Sequence, residues 1–323
     1  AQGDQGVPSM IGDFFGGGYQ YSLFGTDATV AVGGGDRRVK ISDNNSPFPQ
    51  NRFFFNYHHF HNAVIDINGE SQSLDRFTFG LERTFFNDNL SWEIRIPFAA
   101  TVAAEQVLFE DDTTAAEFGN ISFSLKALLV SKPCYSIGAG VAFVTPTGAD
   151  SEFFGLSGNG PGSTPDIVFQ NDAYHLQPYI GAYIPRGRLF HQVFAQLDFD
   201  LNGNEVFQPF GSRGVLQDQT LLFLDYSVGY WVYRNCCDKF VRSLAPMLEL
   251  HYSTSTQDQD YGPFEGEGVF VEDIRRDVLH MTGGLYMEFG ARSSLNVAGV
   301  VPLRDGSDKF FDAEFGLQYV HRY

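Results

Sequence analysis

The sequence has no apolar run long enough for a membrane-spanning helix. Such a helix needs roughly 18 consecutive apolar residues, and stretches such as Lys126-Ala127-Leu128-Leu129-Val130 end after a few positions. Helical membrane proteins are thereby excluded. Proteins that cross on strands are not, because such strands alternate and read as only mildly hydrophobic. Basic residues are also scarce: 21 Lys and Arg stand against 39 Asp and Glu, a net charge of −18. No cationic cluster is present to neutralise phosphates, so nucleic acid is not an expected partner. The acidity suits solvated loops, a cation-rich outer face or cation preference in a pore. Cysteine is sparse, with 3 in 323 residues. Cys134 falls in one expected turn and Cys236-Cys237 in another, separated by four strands. A bridge needs Cα atoms within about 7 Å, so the two turns are not expected to be linked. A vicinal bridge, free thiols or a bond to a partner stay open. The first residues, Ala1-Gln2-Gly3-Asp4, lack the Met, basic region and apolar core of a signal peptide. They read as a mature N-terminus left after cleavage.

What the chain does have is alternation. From Phe311 to Tyr323 one face reads Phe311, Ala313, Phe315, Leu317, Tyr319, His321 and Tyr323, against Asp312, Glu314, Gly316, Gln318, Val320 and Arg322. Leu176, Pro178, Ile180, Ala182 and Ile184 repeat the pattern, as do Val193, Ala195, Leu197 and Phe199. A period of two places one face against an apolar medium and the other against a polar one. A soluble sandwich alternates as well, so the connections decide.

Strands are expected near 52–66, 75–86, 90–104, 119–131, 134–147, 173–185, 188–201, 220–234, 239–255, 276–289, 292–303 and 310–323. Their links alternate in length. Asn87-Asp88-Asn89, Lys132-Pro133, Pro185-Arg186-Gly187-Arg188, Asn235-Cys236-Cys237-Asp238 and Gly290-Ala291-Arg292 are short. Those near 105–118, 148–172, 202–219 and 256–275 are long, with shorter partners at 67–74 and 304–309. Tight periplasmic turns alternating with longer outer loops is the layout of a transmembrane barrel, and an even strand count returns both ends to the periplasmic side. Closure follows from physics, since an open sheet edge in lipid leaves backbone groups unpaired. The expected fold class is therefore all-β: a transmembrane antiparallel barrel of about 12 strands spanning residues 51–323, with residues 1–50 as a plug or periplasmic segment.

The last strand, Phe311 to Tyr323, resembles the C-terminal strand of bacterial outer-membrane β-barrel (porin-like) proteins. In that family a terminal aromatic follows alternate apolar positions and is read by the barrel-assembly machinery. The segment from Ser42 to Tyr57, with its Pro47-Phe48-Pro49-Gln50-Asn51-Arg52-Phe53-Phe54-Phe55 core, is similar to an entry motif in planctomycete outer-membrane barrels. The resemblance implies location in the cell outer membrane of a Gram-negative bacterium. Outer-membrane lipid and the assembly machinery would then be partners, and a homo-oligomer or larger membrane assembly stays open.

Aromatics agree with that placement. Phe53, Phe55, Tyr57, Phe77, Phe79, Trp92, Phe98, Tyr135, Phe143, Phe199 and Tyr230 fall on expected outward faces, many near strand ends where aromatic girdles meet headgroups. Arg83 interrupts its outward face close to a turn, where a long side chain snorkels. The first 50 residues are different. Met10 to Gly18 is apolar and flexible, and Ala28–Val32 and Arg37–Ile41 suit short strands. The segment either enters the lumen or docks below it; Gly138, Gly140, Gly181 and Gly229 on the inner face make room for a plug or ease strand curvature.

The inner face carries the functional signal. Arg52, Arg76, Arg95 and Lys126 point inward from the first four strands, with Glu82 and Glu93. Asp198, Asp200, Asp225, Glu249, Glu288, Asp312 and Glu314 point inward from the last six, with Arg322 at the periplasmic end. Basic residues favour one wall and acidic residues the other. A transverse field of this kind filters ions in a narrow pore; in a sealed lumen the same groups pair with each other or with the N-terminal segment.

Catalysis and cofactors are poorly supported. His251-Tyr252-Ser253 resembles the His-x-Ser spacing of outer-membrane phospholipase, but the strand Val278 to Phe289 offers no Asn to orient the His. The register also turns His251 and Ser253 into the lumen, and a nucleophile without an orienting third group is weakly activated. No enzyme is expected. His59 and His61 share a face and suit ordinary strand residues better than a metal site lacking a third ligand. Ca²⁺ is the one cofactor to consider, at acidic outer loops holding Glu110, Asp111 and Asp112, or Asp258, Asp260, Glu265, Glu267, Glu272 and Asp273. The expected function is a porin passing small polar solutes or ions, cation-preferring. A plugged structural barrel acting as an anchor is the alternative, and a hydrophobic-compound transporter with an N-terminal hatch the third.

Overall fold

The structure is a computed structural model. It describes residues 7–13, 20–23, 26–29, 38–65, 68–100, 105–107, 116–155, 163–207, 213–235, 238, 240–257, 260–261, 269–271, 275 and 277–323. Twelve long strands form the barrel: β1 (Arg52–Ile65), β2 (Ser71–Phe85), β3 (Leu90–Ala100), β4 (Ser122–Lys132), β5 (Tyr135–Val144), β6 (His175–Arg186), β7 (Leu189–Asp200), β8 (Leu221–Tyr230), β9 (Val241–Ser255), β10 (Asp277–Phe289), β11 (Ser293–Pro302) and β12 (Ala313–Arg322). Each pairs antiparallel with its neighbours in sequence. β12 then returns to β1, with Leu317 opposite Tyr57 and Tyr319 opposite Phe55, so the sheet has no edge.

Outward side chains are apolar and inward ones polar, as the period of two requires. Leu125, Leu129, Ile180 and Leu248 are 55%, 58%, 49% and 48% exposed, while Arg52, Glu82, Gln192, Asn56 and Glu249 are fully buried. A soluble protein seldom shows so continuous an apolar exterior. In lipid a closed ring leaves no sheet edge with unpaired backbone groups. No helix among the described residues is long and apolar enough to cross a membrane.

Short turns lie at one end and long connections at the other. At the long end the expected loops are not irregular. Strands Glu105–Val107, Ser151–Phe154, Ile167–Phe169, Asn204–Phe207, Arg213–Gln217 and Asp260–Tyr261 build a six-stranded sheet. Phe153 and Phe169 meet edge to face within it at 5.9 Å.

Two expectations at the start of the last strand are corrected. Phe311, assigned outward, is buried against Phe60 and His280. Asp312, assigned to the lumen, is exposed and held at the loop end by Lys309 at 2.5 Å and by Asn62 at 2.6 Å. β12 begins only at Ala313, and alternation holds only where the backbone is pleated. Cys134 is free and exposed; Cys236 and Cys237 lie outside the described residues.

Candidate functional site

The lumen is occupied by the chain's own N-terminal residues, which pass through it twice. Residues 7–13 run from the turn end upward: Pro8 O accepts from Gln192, and Ile11 O accepts from Gln318. Strand Gln20–Leu23 then pairs with Val269–Val271, which belongs to the connection between β9 and β10, and with Thr26–Thr29. Residues 38–50 descend again beside the first pass, joined to it where Met10 bridges Asn45. The pass ends where Gln50 N–H donates to Glu82 at 3.1 Å, two residues before β1 begins at Arg52. The sequence left a lumenal plug and a periplasmic extension open; residues 7–13 and 38–50 lie against the inner wall, while Gln20–Leu23 and Thr26–Thr29 join the β9–β10 connection.

Charge explains where each pass sits. The descending pass brings cations to the acidic wall. Arg38 meets Asp198 at 3.2 Å and Asp218 at 2.9 Å. Lys40 meets Asp225 of β8 at 3.1 Å and also pairs with Asp13 of the ascending pass. His251 Nδ1 lies 2.7 Å from Asp225, and His280 Nδ1 lies 2.7 Å from Asp13. Glu249 accepts the backbone N–H of Ile11 at 3.0 Å and of Gly12 at 2.8 Å. Burial alone would raise the Asp13 carboxyl, but His251, Lys40 and the hydrogen bond with His280 hold it well below the usual carboxylate range. Burial likewise opposes the charge on Lys40, and Asp13 and Asp225 outweigh it, raising the amine.

The basic wall is neutralised largely by itself. Arg52 donates to Glu82 and Glu93, each at 2.7 Å, and Lys126 donates to Glu82 at 2.9 Å. Arg95 donates through Nε to Glu93 at 2.6 Å. Other donors of these cations reach the plug: Arg52 to Asn44 O at 2.5 Å, Arg95 to Asp43 O at 2.8 Å, and Lys126 to Asn45 Oδ1 at 2.7 Å and Phe48 O at 3.3 Å. Asp43 itself accepts from Gln318 at 2.8 Å and Asn56 at 3.2 Å, with His58 at 3.5 Å. Burial acts against its charge, and His58, Arg95 and Arg76 prevail, holding it at about 2.

Apolar anchors complete the fit. Ile11 and Phe48 pack with Tyr183, Phe190, Trp231, Met247 and Tyr286; Met10 and Ile41 pack with Tyr179 and Phe194. Two wall glycines are needed for the approach. A Cβ on Gly138 would stand 2.1 Å from Pro47 O, and one on Gly284 would stand 2.4 Å from Ile11 Cδ1. Gly140, Gly181 and Gly229 instead make room for the rings of Tyr179, Phe194 and Phe190.

Of the side chains assigned inward, Arg52, Arg76, Glu82, Glu93, Arg95, Lys126, Asp198, Asp200, Asp225, Glu249, Glu288 and Glu314 are buried. They do not form one site. Asp200 organises the loop rim, accepting from Gly203 and Asp218 N–H groups. Glu288 binds Ser243 near the turn end, and Glu314 pairs with His58 at 2.6 Å. The plug residues Asp13, Arg38, Lys40 and Asp43, and the glutamines Gln196 and Gln318, were not singled out from sequence. The one available signal was the short Arg37-Arg38-Val39-Lys40 run in the sequence, of which Arg38 and Lys40 meet the acidic wall.

His251 and Ser253 are fully or almost fully buried in the lumen, away from lipid. His251 Nδ1 is hydrogen-bonded to Asp225 and Nε2 lies 3.3 Å from Glu249, so both ring nitrogens face carboxylates and not Ser253. Asp13, Asp225 and His251 present ligand atoms within 4.8 Å of one another. The Lys40 ammonium pairs with both carboxylates, standing where a cation would. Outside the lumen, His59 binds Asp75 at 2.9 Å and His61 lies near Ser73. Of the acidic residues considered for Ca²⁺, only Asp260 lies among the described residues.

No family model matches the chain, and no curated protein matches it. Its fold does match solved structures. An outer membrane channel from Pseudomonas putida F1 aligns with a TM-score of 0.59 and 14% identity, over 86% of this chain and 97% of that one. The β domain of the Bordetella autotransporter BrkA aligns with a TM-score of 0.50 and 9% identity, over 84% and 99%. At such identities the likeness is one of fold: a closed barrel of the outer-membrane type.

Proposed function

We propose that the chain is an outer-membrane channel for small polar solutes, gated by residues 7–13 and 38–50. The observation that carries this reading is how the plug is held. Most of its links to the wall are hydrogen bonds and ion pairs between polar surfaces, such as Glu249 with the Ile11 and Gly12 amides and Gln196 with Ile41 N–H at 2.7 Å. Water replaces contacts of that kind at small net cost. A plug that leaves would therefore uncover a hydrated, charged lumen. A barrel serving only as an anchor gains nothing from so polar an interior, since apolar residues of similar volume are as stable or more so.

The cation preference expected from the acidic wall does not enter the proposal. Asp198 and Asp225 are bound by Arg38 and Lys40 in the docked state. Planar bilayers containing the intact, heat-modifiable protein test the reading. Discrete openings at neutral pH, more frequent under applied voltage, are expected. Silence across the voltage range would overturn it and leave the anchor.

A further inference from the structure

The surface cations of the barrel are unevenly engaged at its two ends. At the loop end, Arg275 lies 3.9 Å from Asp277, Arg304 3.7 Å from Asp308, and Lys309 2.5 Å from Asp312. At the turn end, Arg83, Lys132, Arg186, Arg188 and Arg292 are exposed, in or beside the turns β2–β3, β4–β5, β6–β7 and β10–β11. Among the described residues none of these five meets a carboxylate. Those four turns hold one carboxylate, Asp88, which accepts from the Thr84 hydroxyl. In a chain of net charge −18, unmatched positive charge is thus gathered at one end.

Water would solvate such cations without a partner, so their neighbours decide what they meet. Arg83 stands opposite Trp92 across β2 and β3, and Lys132 opposite Tyr135 across β4 and β5. Arg186 stands opposite Leu189, which itself faces Tyr230 of β8. Directly opposed residues project from the same side of a sheet. Here that side is the outer one, where Trp92, Tyr135 and Tyr230 are 38%, 40% and 42% exposed. Tryptophan and tyrosine at strand ends sit at headgroup depth. A long cationic side chain beside them lays its stem on the apolar wall and its charge among lipid phosphates. The pairs also follow the circumference over three successive hairpins. That is the geometry of a leaflet; a compact soluble anion would meet one hairpin only.

We propose that the turn end of the barrel is a docking belt for anionic phospholipid, its phosphodiester groups held by Arg83, Lys132, Arg186, Arg188 and Arg292. A zwitterionic lipid brings the same phosphate with its own amine beside it, so the belt selects net negative headgroups. The cations of the loop end, already matched by Asp277, Asp308 and Asp312, take no part. The belt stands on the outer wall and does not depend on whether the lumen conducts.

Spin-labelled lipids in phosphatidylcholine vesicles holding the intact, heat-modifiable chain test this. The fraction of labelled phosphatidylglycerol held motionally restricted at the protein is compared with that of labelled phosphatidylcholine. Phosphatidylglycerol is expected to associate about fivefold more strongly, the scale of one cation at an anionic surface. The preference should vanish in about 1 M NaCl, which screens charge beyond roughly 3 Å. Replacing all five cations by glutamine should abolish it. Arg186→Gln with Arg188→Gln, expected to lower it about twofold, serves if the five-site variant loses heat-modifiable migration. Arg275→Gln with Arg304→Gln, at the loop end, should leave it unchanged. Equal association of the two lipids with the intact chain, or an undiminished preference in the turn-end variants, would overturn the inference. So would a preference lost in the loop-end variant.

Discussion

Lys40 shows how much one residue can decide in this lumen. Its ammonium joins Asp13 of the plug to Asp225 of the wall, and all three are shielded from solvent. Removing one member of a buried ion cluster typically costs about 3–5 kcal/mol, because the remaining charges stay uncompensated. Lys40→Met is therefore expected to undock residues 7–13 and 38–50 while the barrel persists. Hydrogen exchange at Met10 and Ile41 should accelerate, and amides in the middle of β7 should not change. The same cluster fixes the pH response. Asp13 and Asp43 are depressed in the docked state, so their contribution is complete above the ordinary carboxylate value of 3.8 and fades as pH falls toward about 2 for Asp43. Lys40 is raised, so its contribution is complete below 10.5 and is lost only above that value. Docking should hold constant across the neutral range and fail in acid. Trp231, buried beside Ile11, reports it: in a Trp92→Phe background its emission should shift to the red below pH 4 and stay fixed between pH 5 and 9. At this scale the wall charges were legible, because alternation assigns Glu82, Asp225 and Glu249 to one face. Their plug partners were not, since residues 1–50 have no period from which orientation can be read.

At the scale of elements, strands were legible and what lies between them was not. The expected 52–66, 188–201 and 276–289 differ by one residue at most from each end of β1, β7 and β10. Long loops gave no sign of the six-stranded sheet, because its strands of two to five residues are too short to show a period. Asp312 failed for a related reason: its pleat had not yet begun. Gly138 was recognised as inward without its neighbour being visible. Its missing side chain admits Pro47 O. Gly138→Val should displace the descending pass, exposing residues 38–50 to limited proteolysis at pH 7. The same change at Gly283, whose Cβ would meet nothing within 4 Å, should leave the proteolysis pattern as it is.

The whole molecule follows from two constraints, closure in lipid and a filled interior. Closure was evident from the rhythm of connections and from the last strand, and heat-modifiable gel migration should accompany it, with the boiled chain running at its full mass. Filling was not evident, because the same acidic and basic walls suit an open pore or a sealed one. The plug settles which is present at rest. On the proposed channel reading, its departure would leave the wall free to conduct. Single-channel recording of the intact chain beside Lys40→Met, both verified as folded, puts this account to its most direct test. The account predicts rare, brief openings in the intact protein and a steady, larger ohmic conductance in the variant. Identical traces, or silence in both, would contradict it.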